Sequence, residues 1–279
     1  IFTSNAYMDD ELFKAWAAEK TESGAPLIIG QHGGNFGMTL FAFYQDHQIA
    51  ISDKFLSWGW GNSTNSKIKS LGNFRFKNEK LENNKNGGAV LIHLSLSRYS
   101  NHLFSAPISS QWLSYFNNQC DFIKILPSAL RSQFIIRLDN HGYGLDQKLR
   151  WKREFPDIKF DTDISLTERL QRSRLCIVTY NATSLIETLA WNMPTIVFWN
   201  EEHWELNQNA KKVIDLLSDV GIFHKTPESA AQKVIEIWDD IDSWWADEEL
   251  QNVRKLFCEH YSRILEDPVH ELKSAITIK

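Results

Sequence analysis

Residues 175–199 read LCIVTYNATSLIETLAWNMPTIVFW, and this stretch decides the fold. Leu175–Thr179 is a short apolar run, a buried strand by length and composition. Hydroxyl and amide side chains crowd the turn that follows, from Thr179 to Ser184. Thr183–Trp191 repeats apolar residues at helical spacing, and Thr195–Trp199 is apolar again. Strand, helix and strand in that order, with the strands apolar throughout, make a parallel unit covered on both faces.

The alternation continues outward. Towards the N-terminus, strands are expected at Ala89–Leu94, Phe134–Leu138 and Ile158–Phe160. Helices are expected within Ile108–Leu126, Leu145–Glu154 and Leu166–Ser173. Towards the C-terminus, Ala210–Leu217 and Pro227–Asp239 are helical by periodicity, and the tail with Trp244 and Trp245 reads as wholly helical. Such a series predicts a doubly wound sheet. Lys77–Gly88 (KNEKLENNKNGG) is polar, Asn-rich and glycine-terminated, the composition of a linker.

Before the linker lies a shorter series. Ile1–Asn5 reads as a strand end. Asp9, Asp10 and Glu11 open a helix with Leu12, Phe13, Trp16 and Ala17 as its apolar face, and Gly24 and Pro26 stop it. Strand Leu27–Gly30 runs into the glycine-rich loop Gln31–Gly37. A helix within Thr39–Ala50 and a strand at Lys54–Trp58 complete the set. The expectation is an α/β chain of two Rossmann-like domains with parallel sheets facing across a cleft. Residues 1–76 are expected to form the C-terminal part of one domain, incomplete here, 77–88 the linker and 89–279 the second domain with a helical tail.

The 279 residues are 43% hydrophobic and 23% charged, a globular composition that excludes a disordered or rod-like chain. The net charge of −5 gives no basic excess for nucleic acid. Cys120, Cys176 and Cys258 are widely spaced and read as free thiols. No run has the ~18 apolar residues of a membrane helix, and Asp9, Asp10 and Glu11 interrupt any signal-peptide core. A cytoplasmic protein is expected, with peripheral contact at the inner membrane face left open. The start at Ile1, inside an apolar strand, is read as the mark of a fragment.

Ligands of open parallel sheets bind past the carboxyl ends of the strands. Thr179, Asn181, Thr183 and Ser184 crowd one such turn, where a helix start suits a phosphate. Glu187 lies one turn inside on the face of Thr183, where its carboxylate can accept from a ribose diol or simply complement the helix dipole. His32 follows a strand directly, beside Gly33 and Gly34, as a candidate base. Arg98 and Arg137, at other strand ends, can grip an anion or form surface ion pairs. Glu201–Glu205 (EEHWE) lacks metal-ligand spacing, so no metal is expected. No P-loop, G-x-S-x-G or G-x-G-x-x-G occurs.

Several of these segments carry a resemblance. TSNAYMDDELFKAWAAEK, IGQHGGNFG, DKFLSWGW, TYNATSLIETLAWNMPTIVFWN and GIFHKTPESAA resemble a bacterial transferase family encoded in O-antigen and surface-polysaccharide loci. That family is similar to glycosyltransferases of the GT-B fold, including capsule enzymes that transfer Kdo from a CMP-linked donor. The segment from Thr179 also resembles the nucleotide-binding helix of teichoic-acid glycerophosphotransferases, with Asn181-Ala182-Thr183 in place of paired serines. The resemblance implies a nucleotide-sugar donor held as substrate, with no tightly bound cofactor. Thr179, Asn181, Thr183 and Ser184 would hold phosphate and Glu187 ribose, with Arg98 and Arg137 offsetting charge. The N-terminal domain would take a glycan or lipid-linked acceptor, with His32 as base and Gln31 positioning it. It also implies a longer N-terminus than this chain has. Two alternatives stand beside the sugar transferase: a CDP-polyol phosphotransferase, and a non-catalytic nucleotide- or glycan-binding module.

Overall fold

The computed structural model describes residues 1–61, 64–74, 81–100, 105–108, 110–139, 141–161 and 164–277. The first four residues of the expected linker, 77–80, lie outside the described residues. The N-terminal half runs β1 (Phe2–Thr3), α1 (Ala6–Asp9), α2 (Glu11–Glu22), β2 (Ile28–Gly30), α3 (Phe43–Ile51), β3 (Lys54–Ser57) and β4 (Ile68–Ser70). The second half begins with β5 (Gly88–Ile92), α4 (Trp112–Ile125), α5 (Ser128–Arg131), β6 (Phe134–Arg137), α6 (Gln147–Glu154), β7 (Lys159–Phe160) and α7 (Leu166–Gln171). It continues with β8 (Ser173–Val178), α8 (Thr183–Ala190), β9 (Thr195–Phe198), α9 (Gln208–Asp219), β10 (Phe223–His224) and α10 (Pro227–Ile237). After a short 3₁₀ turn come α11 (Ile241–Trp245), α12 (Glu248–Tyr261) and α13 (Pro268–Ile276).

The strands form two parallel sheets, as the alternation predicts. One has the order β1-β2-β3-β4 and the other β10-β9-β8-β5-β6-β7. The larger sheet reverses direction between β5 and β8, the switch point at which doubly wound folds bind ligands. Its central strands are buried on both faces: Leu175, Cys176, Ile177 and Val178 are fully inaccessible, as are Val90 and Leu91. Each such aliphatic side chain contributes about 1.5–3 kcal/mol relative to exposure. Cys120 and Cys176 are buried and Cys258 half-buried, all as free thiols.

α8 is packed all round, with Ser184 through Ala190 buried. Its C-terminal end is fixed. Asn192 there takes a left-handed conformation (φ 55°). Arg254 of α12 donates to the Leu189 carbonyl at 2.7 Å, a cation at the negative end of the helix dipole.

The tail departs from the sequence reading. It is broken between α12 and α13, and the break crosses to the smaller sheet: Arg263 N–H donates to the Trp58 carbonyl and Asn73 N–H to the Arg263 carbonyl. Leu265 and Ala275 then bury against Ile28, Leu56 and Leu71, a small second core. The smaller sheet is apolar on a face that its own helices leave uncovered, so α13 returns to cover it. α2 also differs: Ala17 is buried and Phe13 half-buried, but Leu12 and Trp16 of the expected apolar face stand exposed. Strands β4 and β10, three and two residues long at the sheet edges, are not among the expected strands.

Candidate active site at the start of α8

The two halves meet where the glycine-rich loop after β2 lies on the first turn of α8. A Cβ on Gly34 would stand 2.5 Å from backbone atoms of both Ala182 and Thr183, so only glycine fits. Gly34 N–H donates to Thr183 Oγ1 at 3.1 Å. The rest of the loop is pinned to both halves. Gly37 N–H donates to Gln45 Oε1 at 2.6 Å, and Asn207 Nδ2 donates to the Gly37 carbonyl at 2.7 Å. Leu40 N–H donates to the Glu205 carbonyl. Gly37 has φ 73°, with the Trp60 ring where a side chain would go.

Gln31 is buried and holds this loop to the next. Its Oε1 accepts from Trp58 N–H at 3.0 Å and Trp60 Nε1–H at 2.8 Å, and its Nε2 donates to the Gly33 carbonyl at 2.8 Å. Its task is to shape the loop. His32, the next residue, is exposed at the mouth of β2 and makes no hydrogen bond among the described residues.

α8 begins without a side-chain cap: Ala182 occupies the cap position. Leu185 N–H returns to the Ala182 carbonyl. Among the described residues, the amides of Thr183 and Ser184 make no hydrogen bond, which leaves two donors at the positive end of the helix. Gly34 covers the first of them. Ser184 Oγ accepts from Tyr180 O–H at 2.7 Å, and burial pushes the Tyr180 phenol well above its ordinary range. Asn181 is fully buried with neither amide atom partnered, a costly state for a polar group in a protein interior. Glu187 is buried one turn inside α8.

The other predicted site residues are placed differently. Thr179 is buried; its hydroxyl donates to the Ile92 carbonyl at 2.9 Å and accepts from Tyr115 O–H at 2.8 Å. Tyr115 in turn accepts from Leu94 N–H at 2.9 Å. This chain of bonds ties β8, β5 and α4 together, and Thr179 has no further proton to donate. Arg137 pairs with Asp161 and donates to the Ile164 carbonyl at 3.1 Å. Asp161 also accepts from Arg169 at 2.6 Å. The charge of Arg137 is therefore committed two strands away from β8. Arg98 is exposed and lies over the neighbouring Tyr99 ring, 5.7 Å from its centroid.

One residue at this edge was missed in the sequence. His93 follows β5 directly and is buried. Its Nδ1 lies 2.6 Å from Gln119 Oε1, which fixes the proton on Nδ1 because an amide oxygen only accepts. Nε2 is then a bare acceptor without a partner among the described residues. Burial, opposed by the Gln119 bond and more weakly by Asp139, pulls its pKa down to about 4. In the sequence His93 sits inside AVLIHL, where it looks like an interruption of a strand; its place at the switch point was the available signal. Among the described residues, no group of three or more His, Cys, Asp and Glu is placed to hold a metal ion.

Residues 1–276 match the model of the family described as LIC12162 family transferase. The chain belongs to that family. Among curated proteins no match was found. Solved structures that it resembles include the wall teichoic acid polymerase TagF in its H444N form with CDPG, at 10% identity and a TM-score of 0.47, over 86% of this chain and 64% of that one. MurG of Acinetobacter baumannii matches at 12% identity and a TM-score of 0.45, over 88% and 65%. WaaG, a glycosyltransferase involved in lipopolysaccharide biosynthesis, matches at 8% identity and a TM-score of 0.44, over 94% and 80%. The transferase thus spans less than two thirds of the length of the TagF and MurG chains. No helix among its described residues is long and apolar enough to cross a membrane.

Proposed function

We propose that this transferase moves a sugar from a nucleotide-linked donor to a surface-glycan acceptor, with the donor phosphate at the start of α8. The observation that carries the reading is the uncapped helix start where, among the described residues, the Thr183 and Ser184 amides are unbonded and the buried Asn181 amide is unpartnered beside them. Such a terminus stabilises a phosphate through donors that need no reorganisation during reaction. Glu187, one turn further in, is the proposed ribose acceptor.

Gly34 occupies part of this space, so donor entry requires the loop to lift from Thr183. The loop then closes again on the phosphate with His32 at its edge, where the imidazole takes the proton of the attacking acceptor hydroxyl. Thr179 and Gln31 support this site from behind, and Arg137 is assigned to the Asp161 pair rather than to the donor. The proposed setting is the cytoplasm, at the inner face of the membrane where lipid-linked acceptors are presented.

The test is calorimetric titration of CMP, CDP, UDP and GDP into the wild type and Glu187→Gln. The expected result is selective binding of one nucleotide, weakened at least fivefold by the substitution. Equal binding in both proteins removes Glu187 from the site; no binding of any nucleotide removes the donor reading. A product that carries phosphate in its new linkage would replace sugar transfer with polyol-phosphate transfer.

A further inference from the structure

A groove of about 910 Å³ lies between the halves, with Gly37 and Trp60 in its wall. Its lining comes from α3, from the loop before β4 and from the start of α9. The chemistry of that lining is unusual for this molecule. Among the described residues that line it, Asp46 is the single ionisable one and five carry amides, while the Lys67 ammonium bonds the Ile49 and Ala50 carbonyls of its wall at 3.5 and 3.1 Å.

Two of these amides are oriented by the fold. Gln45 Oε1 accepts from Gly37 N–H, and Asn65 Oδ1 accepts from Lys67 N–H at 3.1 Å. Their NH₂ groups make no hydrogen bond among the described residues, nor do the side chains of Gln208 and Asn209. Asn207 is committed, since it caps α9 and bonds Gly37. Ile49, Ile68 and Trp60 supply apolar wall between these polar groups.

We infer that this groove binds the neutral saccharide portion of the acceptor. A sugar hydroxyl both donates and accepts, and amide groups and a carboxylate match that pattern. A phosphate or nucleotide would be repelled by Asp46, and the ammonium described at this wall, Lys67, is committed to the Ile49 and Ala50 carbonyls. An apolar ligand would leave the amides unpaired, which costs about 1–3 kcal/mol for each buried group. The volume lies at the upper end of ligand sites, with room for more than one sugar ring. The groove and the proposed reaction centre share Trp60, whose indole N–H holds Gln31 beside His32. A glycan seated in the groove therefore contacts the wall that shapes the catalytic loop. Binding in the groove away from the reacting hydroxyl would help to orient the acceptor.

The inference rests on the transferase reading only for the role of the bound sugar as acceptor. The test is saturation-transfer NMR with lactose, maltose and N,N′-diacetylchitobiose as neutral probes and glucuronate as the charged control. It is run on the wild type and on the double variant Gln208→Ala/Asn209→Ala, whose residues are exposed and bear no side-chain bonds. At least one neutral disaccharide should receive saturation, glucuronate should not, and the double variant should lower the effect at least fivefold with its melting temperature unchanged. No transfer to any disaccharide, equal transfer in both proteins, or preference for glucuronate overturns the inference. Nucleotide calorimetry on the same double variant separates the two readings. Retained nucleotide binding with lost saccharide binding supports both. Saccharide binding without any nucleotide binding leaves the groove assigned and the donor site refuted.

Discussion

At the carboxyl edge of the larger sheet, Ser95, Thr179, Arg137 and Asp161 all hold protein partners. At the carboxyl edge of the smaller sheet, His32 stands exposed on a loop whose neighbours are locked in place. The larger edge uses its polar side chains to join strands and helices. It leaves backbone amides, Asn181 and the α8 start facing the junction with the other half. The smaller edge is shaped by Gln31 and glycines so that one imidazole stays free. The groups proposed to react and those that support the fold are thus of similar residue types, and their partners tell them apart.

The largest expected effect is on the support. Asp161→Ala would leave Arg137 and the buried Arg169 without their counter-charge, at a cost of about 3–5 kcal/mol. Urea unfolding measures it; a loss under 1 kcal/mol would mean the two guanidinium groups are adequately solvated without Asp161.

Next comes the buried imidazole. His93 has a folded pKa near 4, below its unfolded value, so the unfolded chain takes up the proton first as pH falls. Its stabilising contribution is present above pH 6.5, declines as pH drops and is lost by about pH 4, worth roughly 3 kcal/mol over the window. His93→Gln should flatten the stability profile between those values relative to the wild type. Parallel profiles for the two proteins would contradict the burial argument.

Gly34→Ala probes the seam between the edges. Its Cβ would meet the Ala182 and Thr183 backbone, and such overpacking costs about 1–3 kcal/mol. The melting temperature should fall by several degrees. An unchanged value would show that the loop does not rest on α8 in solution.

The smallest effect separates support from contact at one turn. Thr179→Val removes the acceptor of Tyr115 and the donor to Ile92, a loss of about 1–2 kcal/mol in stability. Affinity for nucleotide should stay within twofold. An affinity loss matching that of Glu187→Gln would return Thr179 to the phosphate.

The fold was legible because its strands are apolar on both faces and its turns carry their own chemistry: LCIVT, TYNATS and TIVFW define β8, the α8 start and β9 without help from distant residues. The tail was not, because α13 is amphipathic whichever sheet it covers, and only the uncovered Ile28–Leu56–Leu71 face decides its place. The candidate residues were legible in the sequence as strand-end positions, but their hydrogen-bond partners were not. Thr179 and Ser184 lie five residues apart in one polar turn, yet one joins strands while the other leaves its amide open. The ion pair that Arg137 could form had no nameable partner, because Asp161 comes from a strand end 24 residues later. His93 was hidden because a strand pattern says nothing about the end at which its one polar residue falls.

The most direct measurement is backbone amide NMR of the transferase titrated with the nucleotide it binds best. The largest shifts are expected at Thr183 and Ser184, with smaller ones at Gly33 and Gly34 as the loop readjusts. Shifts concentrated elsewhere, for instance around Arg137 and Asp161, with Thr183 and Ser184 unmoved, would contradict the assignment of the donor phosphate to the start of α8.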